Sequence, residues 1–145
     1  MSECELCRPD PATILWGNDW FYAIDAGSED YPAYIRIISR RHVPEMSDLP
    51  DAQREYLWRL LDAAERTMRR CVQPDKINYA QFGNMVPHLH WHLIGRWRDD
   101  AAFPDNSWMP AVRQASEEKT RARRLAVQHF LRELPNALSG VPLPN

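Results

Sequence analysis

No apolar run in the 145-residue chain approaches the ~20 residues that cross a bilayer, and the opening MSECELCRPD has neither a basic start nor an apolar h-region. These absences predict a cytoplasmic protein with no membrane partner. Charge of one sign is not in excess. The net charge of −2 exerts no global pull toward nucleic acid, so no nucleic-acid partner is expected. Three cysteines are an odd number, which argues against a disulfide framework in a reducing compartment and leaves metal binding or free thiols. Internal repeats and low-complexity tracts are absent too.

What is present suits one domain spanning residues 1–145. A chain of this size buries roughly two thirds of its unfolded surface, and 44% hydrophobic with 26% charged residues is an ordinary globular balance. ATILWG and WFYAID are short apolar runs separated by Gly17, Asn18 and Asp19, a hairpin signal. AYIRIIS follows as a third strand. Ser47 or Asp48 offers a cap and Pro50 a first turn for a helix whose Leu57, Leu60, Leu61, Ala64, Met68 and Cys71 form one buried stripe. KINYAQF and HLHWHLIGRW read as the fourth and fifth strands. A second helix is expected from about Ser116 to Leu134 on Leu125, Val127, Phe130, Leu131 and Leu134, with His129 as a surface or packing residue and residues 135–145 as a Pro-rich tail. Strands in runs, without strict alternation of strand and helix, predict α+β: an antiparallel sheet with helices on one face.

The fifth strand carries His88, His90 and His92 at alternate positions, three of the chain's five histidines. Period two sets the imidazoles on one face and Leu89, Trp91 and Leu93 on the other, packed on the helices. Imidazolium charges about 6.5–7 Å apart repel by roughly 2.4 kcal/mol at an effective dielectric near 20. The row is therefore mostly neutral at pH 7, and neutral imidazole is both nucleophile and metal ligand. The cupin chelate with its trailing Glu and the HxHxDH hydrolase pattern both need a carboxylate, and none follows the row until Asp99. Arg40 and Arg41 precede His42, and Arg96 and Arg98 follow the row. Arg121, Arg123 and Arg124 read as a solvated helix face.

HLHWHLI resembles the His-φ-His-φ-His-φ-φ motif of the histidine triad (HIT) superfamily of nucleotide hydrolases and transferases. Upstream, WFYAID and AYIRIISRRHVPEMSDL are similar in order and spacing to that family's strand ending in Asp and its next strand ending in a basic pair and His. The resemblance implies a five-stranded antiparallel sheet with two main helices, dimerising to a continuous ten-stranded sheet. It implies that His90 attacks the α-phosphorus of a nucleotide, forming a nucleotidyl-histidine that water cleaves, with His92 on the phosphate and His88 completing the triad. Dinucleoside polyphosphates or nucleoside phosphoramidates would be the substrates, and Mg²⁺ would accompany a polyphosphate without being required by the nucleophile. Asp25 matches the family's ribose-binding acid, and Asn78 an Asn of the active-site strand. Asn84 stands where most members carry Gln before Ser or Thr; here Met85 follows and cannot donate a side-chain hydrogen bond. Tyr34 falls where many members carry His. A nucleotide-binding sensor with little catalysis is the alternative these departures suggest.

Cys4 and Cys7 form C-E-L-C, too near the N-terminus for the strand and helix start of a redox CxxC. Residues 1–10 are half a zinc site or carry unligated thiols. Some bacterial HIT proteins complete such a site with the His after the basic pair and the first His of the triad, which implies Cys4, Cys7, His42 and His88 as ligands of a structural zinc here.

Overall fold

The computed structural model describes residues 4–144. Its sheet has strands β1 (Ile14–Gly17), β2 (Phe21–Asp25), β3 (Tyr34–Ser39), β4 (Lys76–Ala80) and β5 (His90–Arg96), all antiparallel, in the order β1-β2-β3-β5-β4. The hairpin forms where the turn residues stand: Asn18 Oδ1 accepts from the N–H of Trp20 and of Phe21. Helices α1 (Asp51–Cys71) and α2 (Glu117–Ser139) pack on each other and on one face of the sheet. This is the expected α+β architecture. No helix among the described residues is long and apolar enough to cross a membrane.

Alternation sorts the faces. Phe21, Ala23, Ile35, Ile37 and Leu93 are buried against the helices with Leu57, Leu60, Leu61, Met68, Phe130 and Leu134. Gly95 continues that face, where an added Cβ would meet Ala33 Cβ at 3.0 Å and Met68 Sδ at 3.3 Å, so a larger residue would push α1 away. The opposite face carries Tyr34, Arg36 and Ile38 of β3, paired with Ile94, His92 and His90 of β5. The N-terminal segment and the loop after β5 cover it: Tyr22 Oη donates to the Leu6 carbonyl, and Trp108 lies against His92.

Four local expectations are corrected. Ser47 and Asp48 do not cap α1 but belong to a separate 3-10 turn, Met46–Asp48, and Pro50 takes the N-cap position. Cys71 is half-buried at the edge of the core. Leu125 is exposed, because α2 turns Val127, Phe130, Leu134 and Leu138 inward instead. That helix also runs past Leu134 through Pro135 to Ser139, five residues into the expected tail. Residues Met1 to Glu3 of the N-terminal segment lie outside the described residues.

Arg96 is the large surprise. It is 2% exposed at the end of β5, on the imidazole face. Its Nε and Nη2 donate to the two oxygens of Asp100 at 2.7 and 3.0 Å, and its Nη2 also to the Asp105 carbonyl at 2.7 Å. Nη1 donates to Asn78 Oδ1 of β4 at 2.9 Å, so one guanidinium joins the loop after β5 to both strands. Asp100→Ala would strand this guanidinium, with an expected loss of about 3–5 kcal/mol, measured by urea denaturation. Burial alone would raise the Asp100 carboxyl, but Arg96 and the N–H groups of Trp97 and Phe103 outweigh it and hold it below the usual range. A depressed carboxyl contributes stability that is full above its unfolded pKa of about 3.9 and lost as pH falls through the folded value. The gap between wild type and Asp100→Ala should therefore narrow in acid; an unchanged midpoint at pH 7 would remove the pair from this role.

Candidate active site and metal cluster

The three imidazoles share one side of the chain, and that side is largely covered. His88, just before β5, is fully buried and His92 is 5% exposed, whereas His90 is half-buried. The rings of His90 and His92 meet edge to face with centroids 5.0 Å apart. His90 Nδ1 donates to the main-chain carbonyl of His88 at 2.6 Å, which commits the proton to Nδ1 and leaves the Nε2 lone pair unprotonated. Neutrality of the two outer rings also has a different leading cause from the one expected. His92 is pushed down to about 4 mainly by burial, with the charges of His90 and Arg36 acting in the same direction. His88 is lowered first by burial and then by His42 and His90, against the opposing pull of the Ser39 carbonyl.

His92 has the more elaborate surroundings. Its Nδ1 lies 2.5 Å from the Tyr34 hydroxyl, and its ring is flanked by Trp108 at 5.1 Å and Phe82 at 6.1 Å between centroids. Arg36, opposite His92 in the β3 to β5 register, has its Nε buried without a hydrogen-bond partner. Sequence reading missed Arg36, Phe82 and Trp108 as neighbours of the row. Arg36 did leave a signal, a lone charge inside an apolar strand, although only the strand register shows which histidine it faces. Phe82 and Trp108 come from loops, which have no periodicity to reveal them.

His88 also belongs to a second constellation. Its Nδ1 lies 3.4 Å from Cys4 Sγ, 3.5 Å from Cys7 Sγ and 3.0 Å from His42 Nδ1, and Cys7 Sγ lies 3.2 Å from His42 Nδ1. All four atoms fall within 4.8 Å of one another. Tetrahedral zinc with Zn–S near 2.3 Å and Zn–N near 2.0–2.1 Å sets S···N at about 3.5 Å and N···N at about 3.3 Å. The observed spacings come within a few tenths of an ångström of those values. His88 Nε2 donates to the Ser39 carbonyl at 2.6 Å, so Nδ1 presents a bare lone pair to the cluster. Two sulfurs and two imidazole nitrogens are a donor set suited to a closed, borderline-soft divalent ion. The four residues expected to meet do meet.

The remaining expected residues are less engaged. Asp25 ends β2 opposite Ile35, exposed, with Oδ1 accepting from the Gly27 N–H at 2.8 Å. Asn78 lies on the imidazole face of β4, but its Oδ1 is taken by Arg96. Asn84 and Met85 sit in the loop between β4 and β5, turned at Gly83 (φ +74°); Asn84 is exposed and Met85 is 96% exposed. Among the described residues no hydrogen bond joins Asp25, Asn84 or Met85 to the imidazoles. A cavity of about 470 Å³ lies elsewhere, lined by Asp30, Trp97, Asp100, Arg121 and Arg124 among others. It contains no imidazole and mixes both signs of charge.

Known proteins resemble this chain in sequence and fold. A histidine triad protein from Marinobacter aquaeolei is 28% identical, superposes with a TM-score of 0.64 and covers 85% of this chain and 92% of its own. A zinc-bound histidine triad family protein from Mycobacterium smegmatis shares the fold at 18% identity and a TM-score of 0.54, over 88% of this chain and 95% of its own. Two Mycobacterium tuberculosis proteins named AP-4-A phosphorylase are 28% identical over 78 residues, 50% of this chain and 40% of theirs. The chain thus spans about two fifths of the length of the curated relatives it matches. The HIT domain model matches residues 8–99, well over half of the sequence, and the chain belongs to the HIT domain family.

Proposed function

We propose that the chain is a nucleotide hydrolase or nucleotidyl transferase in which His90 attacks an α-phosphorus, on dinucleoside polyphosphates or nucleoside phosphoramidates. The carrying observation is the 2.6 Å bond from His90 Nδ1 to the His88 carbonyl, which gives a half-buried imidazole one tautomer with a defined lone pair at Nε2. That lone pair forms an N–P bond as the bond from phosphorus to the leaving group breaks. Water then forms an O–P bond and releases a proton to solvent, the N–P bond breaks with its electron pair returning to Nε2, and His90 regains its lone pair. The name of the mycobacterial relatives supports a nucleotide substrate. Asp25, Asn78, Asn84 and Met85 are assigned to the nucleotide, Asp25 to the ribose, and Mg²⁺ would accompany the phosphate chain only.

His90→Ala should abolish turnover of diadenosine tetraphosphate with an unchanged circular dichroism spectrum. Wild type quenched with labelled substrate should carry acid-labile label, absent from the variant. Saturable binding without label would support the sensor instead, and undiminished turnover by His90→Ala would end the assignment.

Cys4, Cys7, His42 and His88 would hold a structural zinc tethering the N-terminal segment beside the row, with His88 serving both cluster and triad. All four positions of the ion would be filled by protein, so it would contribute folding free energy and leave no place for substrate. About one zinc per chain is expected by elemental analysis, and Cys7→Ser should lose both the metal and several degrees of melting temperature. Chelation that stopped turnover while the melting temperature held would favour a metalloenzyme.

The proposal includes a homodimer with a continuous sheet joined at an edge. Light scattering should then give twice the 17.0 kDa chain mass; a monomer at micromolar concentration would refute it.

A further inference from the structure

Tyr34 and Arg36 both stand on the imidazole face of β3, and the Tyr34 hydroxyl is 2.5 Å from His92 Nδ1. Arg36 can only donate hydrogen bonds. Its guanidinium lies 5.8 Å from the Tyr34 ring centroid and close enough to the hydroxyl to oppose the rise in pKa that burial causes there. A cation beside the phenol favours the orientation in which the O–H hydrogen points away from the charge, leaving it to be donated. The acceptor within reach is Nδ1 of His92.

We propose that Tyr34 is a positioning residue whose O–H donates to His92 Nδ1, fixing the proton of neutral His92 on Nε2 as a hydrogen-bond donor to phosphate oxygens. In this arrangement His92 is no source of a proton for the leaving group. The site therefore favours phosphoanhydrides, whose leaving group departs as a phosphate anion, over phosphoramidates, whose leaving group departs as an amine. This rests on the reading of His90 as the nucleophile.

The balance of the two reactions decides the preference. When Nε2 of His90 bonds to the α-phosphorus of a dinucleoside polyphosphate, the P–O bond breaks and its electron pair stays on the oxygen of the departing nucleoside polyphosphate. That anion is stable at neutral pH and needs no proton. When the scissile bond is P–N, the pair stays on nitrogen, and an amide anion cannot leave at neutral pH without a proton from an acid in the site.

His92 is poorly suited to supply one. Protonation at Nδ1 would set its N–H against the Tyr34 O–H and add a second positive charge near the Arg36 cation. The groups facing the His92 ring are Tyr34 and Arg36 from β3, His90 from β5, Phe82 from the loop after β4 and Trp108 from the loop after β5. None of them is a carboxylate that would favour the imidazolium. The buried ring's low pKa, about 4, agrees with this.

The test uses full-length protein labelled with ¹⁵N-histidine, with and without Tyr34→Phe, which keeps the aromatic ring and removes the hydroxyl. In wild type, His92 should show an unprotonated Nδ1 and a protonated Nε2 throughout about pH 5.5 to 8. In Tyr34→Phe the two tautomers should mix, the imidazole should titrate closer to neutrality, and kcat/KM for diadenosine tetraphosphate should fall about tenfold. Wild type should cleave that substrate at least about tenfold faster than adenosine 5′-phosphoramidate. A protonated Nδ1 in wild type, or a variant unchanged in both tautomer and rate, would overturn the role of Tyr34. Equal or faster phosphoramidate cleavage would overturn the substrate preference. The expected tautomer in a wild type that cleaves neither substrate would uphold the role of Tyr34, and the reading of His90 would be what fails.

Discussion

The pairing of β3 with β5 is the constraint on which the site depends. Arg36 faces His92 and Ile38 faces His90, so the charge, the phenol and the imidazoles converge on one face because two strands share one register. A slip of one residue would send the imidazoles into the helix-packed core and bring Trp91 and Leu93 out, exchanging apolar burial for buried polar groups. The register is held by what each face buries: Ile35, Ile37 and Leu93 under the helices, and Arg96 locked to Asp100 at the far end of β5.

Burial on the imidazole face changes the chemistry of the row. An open row would be kept neutral chiefly by mutual repulsion, which salt screens. In this fold the leading cause is desolvation, imposed at one end by the N-terminal segment over His88 and at the other by Tyr34, Phe82 and Trp108 around His92. The half-buried middle ring is the one left within reach of solvent. Access is thus graded along three chemically identical side chains by the segments that fold over them.

Periodicity made all five strands, both helices and the triad's common side legible in the sequence, because alternation and helical spacing are local properties of a strand or a helix. Helix ends were less legible. Pro135 reads as a stop, yet α2 continues to Ser139, since Leu138 adds another buried contact beyond it. The Cys4, Cys7, His42 and His88 cluster could be named only through a family resemblance, as its members are separated by up to 84 positions and no local pattern connects them. The role of Arg96 was hidden for a related reason: its place after the histidine run says nothing of its partners, and only tertiary contact shows that Asp100 and Asn78 claim its donors. Tyr34 was read as a departure from a family pattern, and its contact with His92 emerged only once β3 and β5 were paired.

His88 joins the two halves of the site. Its Nδ1 faces the two cysteines and His42, its Nε2 donates to the Ser39 carbonyl, and its own carbonyl accepts from His90 Nδ1. Ser39 ends β3, so the ring that completes the cluster is braced against the same strand that presents Tyr34 and Arg36. Any shift of the cluster must move the His88 backbone or strain the bond to Ser39, and a moved backbone carries the carbonyl that sets the tautomer of His90. His92 is held by a separate device, a side-chain hydroxyl from the other end of β3. The outer two imidazoles are thus anchored independently to opposite ends of one strand, and the middle one takes its orientation from the peptide between them.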